Sequence, residues 1–398
     1  MATHAAACPE PRGRAGAGPL AAVWLAWLLL MAGVNLATPL YPVYAKHFHF
    51  SSLVLTAIFA TYAFVLVPAL ILFGRLSDRF GRRPVLVVGL ATASVGLALF
   101  AAAAGPAWLF AARAVQGLAV GMISGAATAA LVELDPAGDR RRAALLAGLA
   151  QAGGSAAGPL FAGVLAQWAP DPRRLCFLVA LGATVVAAVA ALELPEPADR
   201  EREPWRIEWP RVPPELRLDF ARVSLTAATV WATLALYLSI VPSYAQSLLG
   251  THNLALLAVI ATVALVASSV AQIAAQRFAG SRRRDQAIGL GLLSLGLAAL
   301  VVAAPLHSLA LLLVGALAAG TGHGLGFLNA QQELNELAPA QRRGEVTAAF
   351  ISCIYFLVAT AVITSGLLDL HFSLTFAVSA VAIALIVIAL ATAAWQAR

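Results

Sequence analysis

Ionisable side chains are rare inside the long apolar stretches of this chain, and two of them have chemistry that a buried site could use. Arg113 lies in the apolar run 106–133, and His323 lies in the glycine-rich run 320–326. An arginine at the centre of a membrane helix costs roughly 2.5–3.5 kcal/mol, so Arg113 should face a cavity or a partner. A histidine has an unperturbed pKa of about 6.5 and can exchange a proton near neutral pH. The simpler alternative for both is a structural hydrogen bond between helices.

Carboxylates are confined to the ends of the apolar stretches. Glu133 and Glu336 lie at two such ends, where ion pairs with nearby arginines are the simplest interpretation. Glu333 lies one turn deeper than Glu336 and could be reached from a cavity. No Asp or Glu lies at the centre of any stretch. His323 is therefore the first candidate for a titrating group, with Glu333 in reserve.

Several kinds of catalytic or cofactor site are excluded. Lys46 is the only lysine, so the chain cannot form a Gly-Lys-Ser/Thr phosphate loop. No His-Glu-x-x-His motif or Ser/His constellation is present. The three cysteines, Cys8, Cys176 and Cys353, are odd in number and widely spaced, which argues against a disulfide framework and a zinc site. We therefore expect neither an enzyme nor a metal or cofactor.

The charged stretch Gly74–Pro84 reads Gly-Arg-Leu-Ser-Asp-Arg-Phe-Gly-Arg-Arg-Pro and separates the apolar runs 52–73 and 85–104. Four arginines and a carboxylate in eleven residues cannot lie in hydrocarbon, so the stretch should form a turn at a membrane surface. Because arginines cluster in cytoplasmic loops, that surface is expected to be cytoplasmic.

This stretch resembles the loop between the second and third helices of the major facilitator superfamily. The motif Gly-x-Leu-x-Asp-Arg-x-Gly-Arg-Arg/Lys is matched by Gly74, Leu76, Asp78, Arg79, Gly81, Arg82 and Arg83. The resemblance implies that Asp78 meets the N-terminal end of the eleventh helix, near Gly344, when the cytoplasmic side is shut. The simpler alternative is a solvated ion pair. Gln276 stands at the aligned position of the second half, so the gate contact should be one-sided.

Two further motifs extend the resemblance. The segment Arg113-Ala-Val-Gln116-Gly117 is similar to the family's fourth-helix motif, whose arginine is implicated in proton coupling. The fifth span partly matches the family's antiporter motif, although Ala162 replaces one glycine; the matching residues are Gly154, Gly158, Pro159 and Gly163. The family also places an acidic residue near the loop motif, where Glu133 lies. The partial antiporter motif favours export over uptake.

The composition predicts an all-α integral membrane protein. Hydrophobic residues make up 61% and charged residues 11% of 398 residues, whereas soluble domains average roughly 45–50% and 25%. The apolar runs predict twelve spans, at 20–44, 53–73, 85–104, 106–133, 143–167, 174–193, 220–246, 253–277, 287–305, 307–334, 345–367 and 373–394. This pattern predicts four segments: a cytoplasmic tail (1–19), a six-helix half (20–193), a cytoplasmic proline-rich linker (194–218) and a second six-helix half (219–398).

The distribution of basic residues orients these spans. An alternating path from a cytoplasmic N-terminus places Lys46, Arg173 and Arg174 outside and Arg113 within the membrane. The remaining 22 of the 26 basic residues fall on the cytoplasmic side, as the positive-inside rule requires. Both termini are therefore expected in the cytoplasm, with the protein in the cell membrane. The net charge of +7 is spread over separate loops, which argues against nucleic-acid binding.

Together, the motifs and the spans predict a monomeric, proton-coupled exporter of small molecules such as drugs. By the resemblance, the first, fourth, seventh and tenth helices line its pathway; their polar candidates are Asn35, Tyr41, Arg113, Gln116, Tyr237, Gln246, His323 and Asn329. Arg113 and His323 would tune the coupling between solute and protons. An uptake symporter for sugars or organic acids is the alternative within the same class. A membrane sensor or scaffold without transport is the alternative from another class.

Overall fold

The computed structural model describes residues 17–74, 76–196, 209–276, 280–339 and 342–397, and within these ranges the chain forms helices and no strand. The first part contains α1 (Ala17–Asn35), α2 (Tyr41–Phe48), α3 (Ser52–Phe73), α4 (Leu76–Phe80), α5 (Arg82–Ala101), α6 (Pro106–Glu133), α7 (Arg140–Trp168) and α8 (Leu175–Ala191). We refer to these eight helices as the N-terminal half.

The second part contains α9 (Arg217–Ser239), α10 (Val241–Leu249), α11 (Leu254–Ala275), α12 (Arg282–Leu306), α13 (Leu309–Leu337), α14 (Arg343–His371) and α15 (Leu374–Gln396). We refer to these seven helices as the C-terminal half. Residues 1–16 and most of the proline-rich linker (197–208) lie outside the described residues.

The prediction of a multi-spanning all-α membrane protein is confirmed. Eleven helical segments of the described chain are long and apolar enough to cross a membrane, and α8 is an apolar helix of 17 residues. At about 1.5 Å per residue, α8 comes close to the roughly 30 Å of the hydrocarbon core. The first span bends between α1 and α2, where a short 3₁₀ turn covers Thr38–Leu40. Pro39 and Pro42 explain the bend, because a proline removes one N–H donor from the helix.

Two helix pairs join the halves, α3 with α14 and α7 with α11. We call the end of the bundle that carries Arg82, Arg282 and Arg343 the basic end. The opposite end, with the loops that follow α2 and α10, is the far end. The helices of both pairs run between these two ends.

Candidate translocation site

Two adjoining cavities lie between the halves, with volumes of about 750 and 500 Å³. The larger is bounded mainly by α7, α11 and α13, and the smaller by α1, α3, α6 and α14. Trp27, Gln151, Trp231 and Phe327 belong to the walls of both, so the two cavities meet at the middle of the bundle. Either volume falls in the range of roughly 300–1,000 Å³ that is usual for binding sites of drug-sized molecules.

The larger cavity opens at the basic end. Its wall reaches Leu145 and Gly148 at the start of α7, and Gln276, Arg282 and Asp285 around the connection between α11 and α12. Helices α7 and α12 begin at the basic end, and α11 ends there, so all five residues lie near that end. A solute at the basic end therefore has access to the interface between the halves.

The far end is closed by direct packing of the two helix pairs. A Cβ atom added to Gly163 of α7 would lie 2.9 Å from the carbonyl oxygen of Leu254 in α11. A Cβ atom added to Gly366 of α14 would lie 2.8 Å from the Cα of Leu53 in α3. Both distances are shorter than van der Waals contact, so only glycine allows the helices to approach this closely. The Leu254 N–H also donates a hydrogen bond of 2.8 Å to Gln167 Oε1.

The antiporter-like motif lies along α7 and touches two partners. Gly154 and Gly158 pack against α1, where a Cβ atom on Gly154 would lie 3.1 Å from the backbone nitrogen of Ala32. Pro159 lies inside the helix, and Gly163 faces α11 in the other half. The motif therefore packs α7 against α1 of its own half and provides one of the two close contacts with the other half at the far end.

Arg113 is buried beneath aromatic rings at the smaller cavity. Its Nη1 donates hydrogen bonds of 2.8 Å to the carbonyl oxygen of Val34 and 3.1 Å to Gln116 Oε1. Gln116 in turn donates a bond of 3.1 Å to the carbonyl oxygen of Gly33. The guanidinium carbon lies 5.2–5.9 Å from the ring centroids of its aromatic neighbours, Tyr41, Phe59 and Tyr62. The cation is thus held by neutral acceptors and ring faces.

His323 lies in the wall of the larger cavity and bonds within its own half. Its Nδ1 is 2.7 Å from Ser268 Oγ, which also accepts a bond of 3.1 Å from Gln272. Trp231 meets the imidazole edge to face, with 4.9 Å between ring centroids. Nε2 is buried and has no hydrogen-bond partner among the described residues. The ring therefore has one nitrogen available for a proton or a ligand beside the cavity.

The loop motif forms a compact ion-pair cluster at the basic end. Arg82 binds Asp78, donates to Ser77 Oγ at 2.7 Å, and binds Glu133 of α6 through Nη2 at 2.8 Å. Gly81 has φ of 98°, in the left-handed region that favours glycine. Glu196, which follows α8, accepts bonds of 2.5 and 3.3 Å from the N–H groups of Arg82 and Arg83. The free N–H groups at the start of α5 are thereby satisfied.

The other members of the motif surround this cluster. Gly74 ends α3 where Gly125 of α6 packs against it. Leu76 lies among the hydrophobic residues that pack on the core of the N-terminal half, whereas Arg79 is exposed beside Phe80. The N-terminus of α14, expected near Gly344, is found at Arg343. The expected contact between Asp78 and the N-terminus of α14, when the basic end is shut, stays a prediction.

A related ion pair occurs in the C-terminal half. Arg282 at the start of α12 binds Glu336 at the end of α13, as Arg82 at the start of α5 binds Glu133 at the end of α6. Gln276 ends α11 and lines the larger cavity. Both halves therefore keep an Arg–Glu pair at the basic end, while only the N-terminal half has a carboxylate at the position of Asp78.

The structure reveals a buried charged network that the sequence reasoning missed. Arg222 of α9 is 3% exposed and binds Glu333 of α13 and Gln396 of α15. Glu333 also accepts a bond of 2.5 Å from Gln286 of α12. Arg222 lies only six residues into α9, so its sequence position looked like that of an ordinary basic residue at a membrane surface. Four helices of the C-terminal half therefore meet through one ion pair near the basic end.

We expect the Glu333→Ala variant to destabilise the folded C-terminal half. Removing one partner of a buried ion pair typically costs about 3–5 kcal/mol, because the other charge stays buried. Asp219 lies 3.2 Å from Arg222 and should limit the loss to the lower part of that range. Thermal unfolding of the purified protein in detergent measures the effect. Glu336→Ala is the matched control, since its side chain is 60% exposed and its loss should change the unfolding temperature little.

The remaining pathway candidates are divided between the cavities and the packed interior. Asn35 lines the smaller cavity and Asn329 the larger. The ring of Tyr41 packs against the guanidinium of Arg113, and Tyr237 is fully buried. Gln246 is bonded to His252 at the far end, 3.0 Å away. The aromatic residues shared by the two cavities were not among the candidates, because they look like ordinary apolar residues of their spans. Gln151 was not among them because it lies in the fifth span, outside the four helices from which candidates were taken.

The fold and the cavity between its halves are those of a multi-pass membrane transporter. The profile of the Major Facilitator Superfamily matches residues 23–362, and the chain belongs to that family. The family predicted from the loop motif is therefore confirmed.

Solved transporters share the fold over nearly the whole chain. A bacterial homologue of the human lysosomal transporter Spinster, in an inward-facing and unoccupied conformation, superposes with a TM-score of 0.75 and 16% identity over 96% of each chain. The nucleoside transporter NupG superposes with a TM-score of 0.76 and 13% identity over 95% of this chain and 99% of that one.

Curated relatives are similar over shorter stretches. The puromycin resistance protein of Streptomyces alboniger is 31% identical over 48% of this chain and 38% of its own length. The triacylglyceride transporter of Mycobacteroides abscessus is 34% identical over 34% of this chain and 26% of its own length. The matched stretches thus span well under half of these relatives.

Proposed function

We propose that this protein is a proton-coupled exporter of small organic molecules that works by alternating access. The observation that carries the proposal is the cavity between the halves, which is open at the basic end and closed by the Gly163 and Gly366 contacts at the far end. The positive-inside rule assigns the basic end to the cytoplasm, so this state would receive a solute from the cell. Rocking of the halves would then open the far end.

Two findings support export over uptake. The antiporter-like motif of α7, which includes Gly163, resembles one that marks exporters in this family. A relative in Streptomyces alboniger is named for resistance to puromycin, a property that export of a toxic compound would give. Uptake of a sugar or an organic acid would use the same fold with the opposite direction of net flux.

Growth and accumulation assays in an efflux-deficient host test the direction. Cells that produce the protein are exposed to a panel of toxic compounds that includes puromycin. Export predicts that cells resist at least one compound and accumulate less of it, and that an agent which collapses the proton gradient removes the difference. Greater sensitivity with greater accumulation would indicate uptake and contradict the proposal.

The cytoplasmic assignment of the basic end is tested with an Ala137→Cys variant. Labelling of this position in intact cells by a thiol reagent that cannot cross the membrane would contradict the assignment.

Coupling to protons is assigned first to His323. Its buried Nε2 has no partner among the described residues and lies beside the cavity, so protonation could change with the exposure of the cavity. Glu333 is the reserve candidate, although its ion pair with Arg222 would have to open for it to bind a proton. Arg113 contributes a fixed positive charge on the other half, which disfavours a second positive charge in the closed site.

The His323→Gln variant is therefore expected to lose accumulation driven by an imposed pH gradient while it keeps solute counterflow. Glutamine can still hydrogen-bond Ser268 but cannot titrate. The measurement uses proteoliposomes and a solute identified by the growth assay, with counterflow as the control for folding and binding. A normal response of the variant to the gradient would exclude His323 as the coupling group, and Glu333→Gln would then be the variant to test.

A further inference from the structure

The walls of the central cavities carry an unbalanced positive charge. Among the described residues, Arg113 is the only charged side chain in the wall of the smaller cavity. Arg282 and Asp285 line the mouth of the larger cavity, where their opposite charges offset one another. A solute at the middle of the bundle therefore meets the fixed charge of Arg113, the titratable ring of His323 and no carboxylate from the described chain.

The hydrogen bonds of Arg113 leave capacity for one more acceptor. Both bonds of Nη1 go to neutral oxygens, and the buried Nε has no partner among the described residues. The residue is only 3% exposed, and aromatic rings cover part of the guanidinium. Burial makes a charged group without an anionic partner unfavourable, so a carboxylate brought by a ligand would stabilise it.

The rest of the shared wall suits an apolar body with neutral polar groups. Trp27, Trp231 and Phe327 provide ring surface, whereas Gln151 and Gln331 provide amides that can donate or accept. Amides and aromatic rings do not neutralise a cationic solute as a carboxylate would. Because aromatic rings can also attract an ammonium group, the preference for an anion comes from the charge of Arg113 and not from the rings.

We propose that the substrates of this transporter are amphipathic organic acids. The carboxylate binds Arg113, and the aromatic or aliphatic body lies between Trp27, Trp231 and Phe327. This assignment rests on the proposed function, because it names the solute class that the same cavity carries. The negative charge of such a solute would also supply part of the driving force for export, since an inside-negative membrane potential favours the outward movement of an anion.

Three dansyl compounds of similar size test the charge preference. Dansylglycine carries a carboxylate, dansylamide is neutral, and dansyl-ethylenediamine carries an ammonium group. Purified protein in phosphatidylcholine nanodiscs reports binding by energy transfer from tryptophan to dansyl, because Trp27 and Trp231 line the cavity. Dansylglycine should bind at least about tenfold more tightly than the other two, the gain expected of one charge-assisted hydrogen bond.

Variants locate the preference on Arg113. Arg113→Lys keeps the charge and should keep the preference, whereas Arg113→Gln should bind the three compounds about equally. Arg284→Gln removes an exposed charge that is not part of either cavity wall and should behave like the wild type. The proposal is overturned if the ammonium compound binds most tightly, if the three wild-type affinities are equal, or if dansylglycine gives no saturable signal.

The wild-type comparison does not depend on whether Arg113→Gln folds. If folded Arg113→Gln keeps the preference for dansylglycine, the assignment to Arg113 is wrong. The proposed direction of transport and the proposed solute class can also fail separately. Tight binding of dansylglycine without export from vesicles would contradict export alone, while export of cationic compounds without binding of the anion would overturn the solute class alone.

Discussion

The Asp78→Asn variant is expected to lose most of its transport while its amount in the membrane stays normal. In the described state Asp78 is paired with Arg82, and closure of the basic end should bring the N-terminus of α14 towards it. A helix N-terminus carries partial positive charge, and a carboxylate there contributes up to about 2 kcal/mol when partly buried. Its loss would shift the balance between closed and open basic ends by a factor of about 30.

Initial transport rates and membrane amounts should be compared with those of Gln276→Ala. Gln276 lies at the aligned position of the C-terminal half and carries no charge, so its replacement should have a much smaller effect. Equal losses in the two variants would assign Asp78 an ordinary place in the Arg82 ion-pair cluster. Asp78→Glu keeps the charge and should recover part of the activity.

The Gly163→Leu variant should fail to close the far end. The added side chain would enter the backbone of α11, where even a Cβ atom lies 2.9 Å from the carbonyl oxygen of Leu254. Overpacking of this kind typically costs about 1–3 kcal/mol, which α7 and α11 can avoid by separating at the far end. The conformational balance should therefore move towards a state open at the far end, and the transport rate should fall by at least about tenfold.

Gly182→Leu is the matched control for this substitution. Gly182 lies in α8 with no other atom within 4 Å of an added Cβ, so leucine should be accepted there. Both variants are compared for transport and for cysteine labelling at the far end by an impermeant reagent. Unchanged transport and labelling in Gly163→Leu would contradict the role assigned to the α7–α11 contact.

The fold could be predicted from the sequence because the signals for it are local. Long apolar runs separated by charged or proline-rich segments gave the helices, and Arg113 was expected to face a cavity because of the cost of burying a charge. The loop motif gave the position of Asp78 and Arg82 at one end of the bundle. The ion pair between Arg82 and Glu133 depends on the packing of α6 against α5. The family pattern predicted only that an acidic residue lies near the loop motif.

The buried network around Arg222 was not predicted because it depends on contacts between distant parts of the chain. Arg222 and Glu333 are 111 residues apart, and each lies near the end of its helix. A residue near a helix end is expected to be solvated, and only the packing of α9, α12, α13 and α15 makes this position buried. The shared aromatic wall of the cavities was missed for a similar reason, since Trp231 and Phe327 look like ordinary apolar residues of their spans.

Paired distance measurements at the two ends test the alternating-access claim most directly. Spin labels at Ala137 and Ser281 report on the basic end, and labels at Lys46 and Ser247 report on the far end, in a protein without its native cysteines. All four positions are exposed, and each pair joins the two halves. Relative to the wild type, Gly163→Leu should shorten the basic-end distance and lengthen the far-end distance together. Distances that stay constant at both ends, or that change in the same direction, would contradict the account.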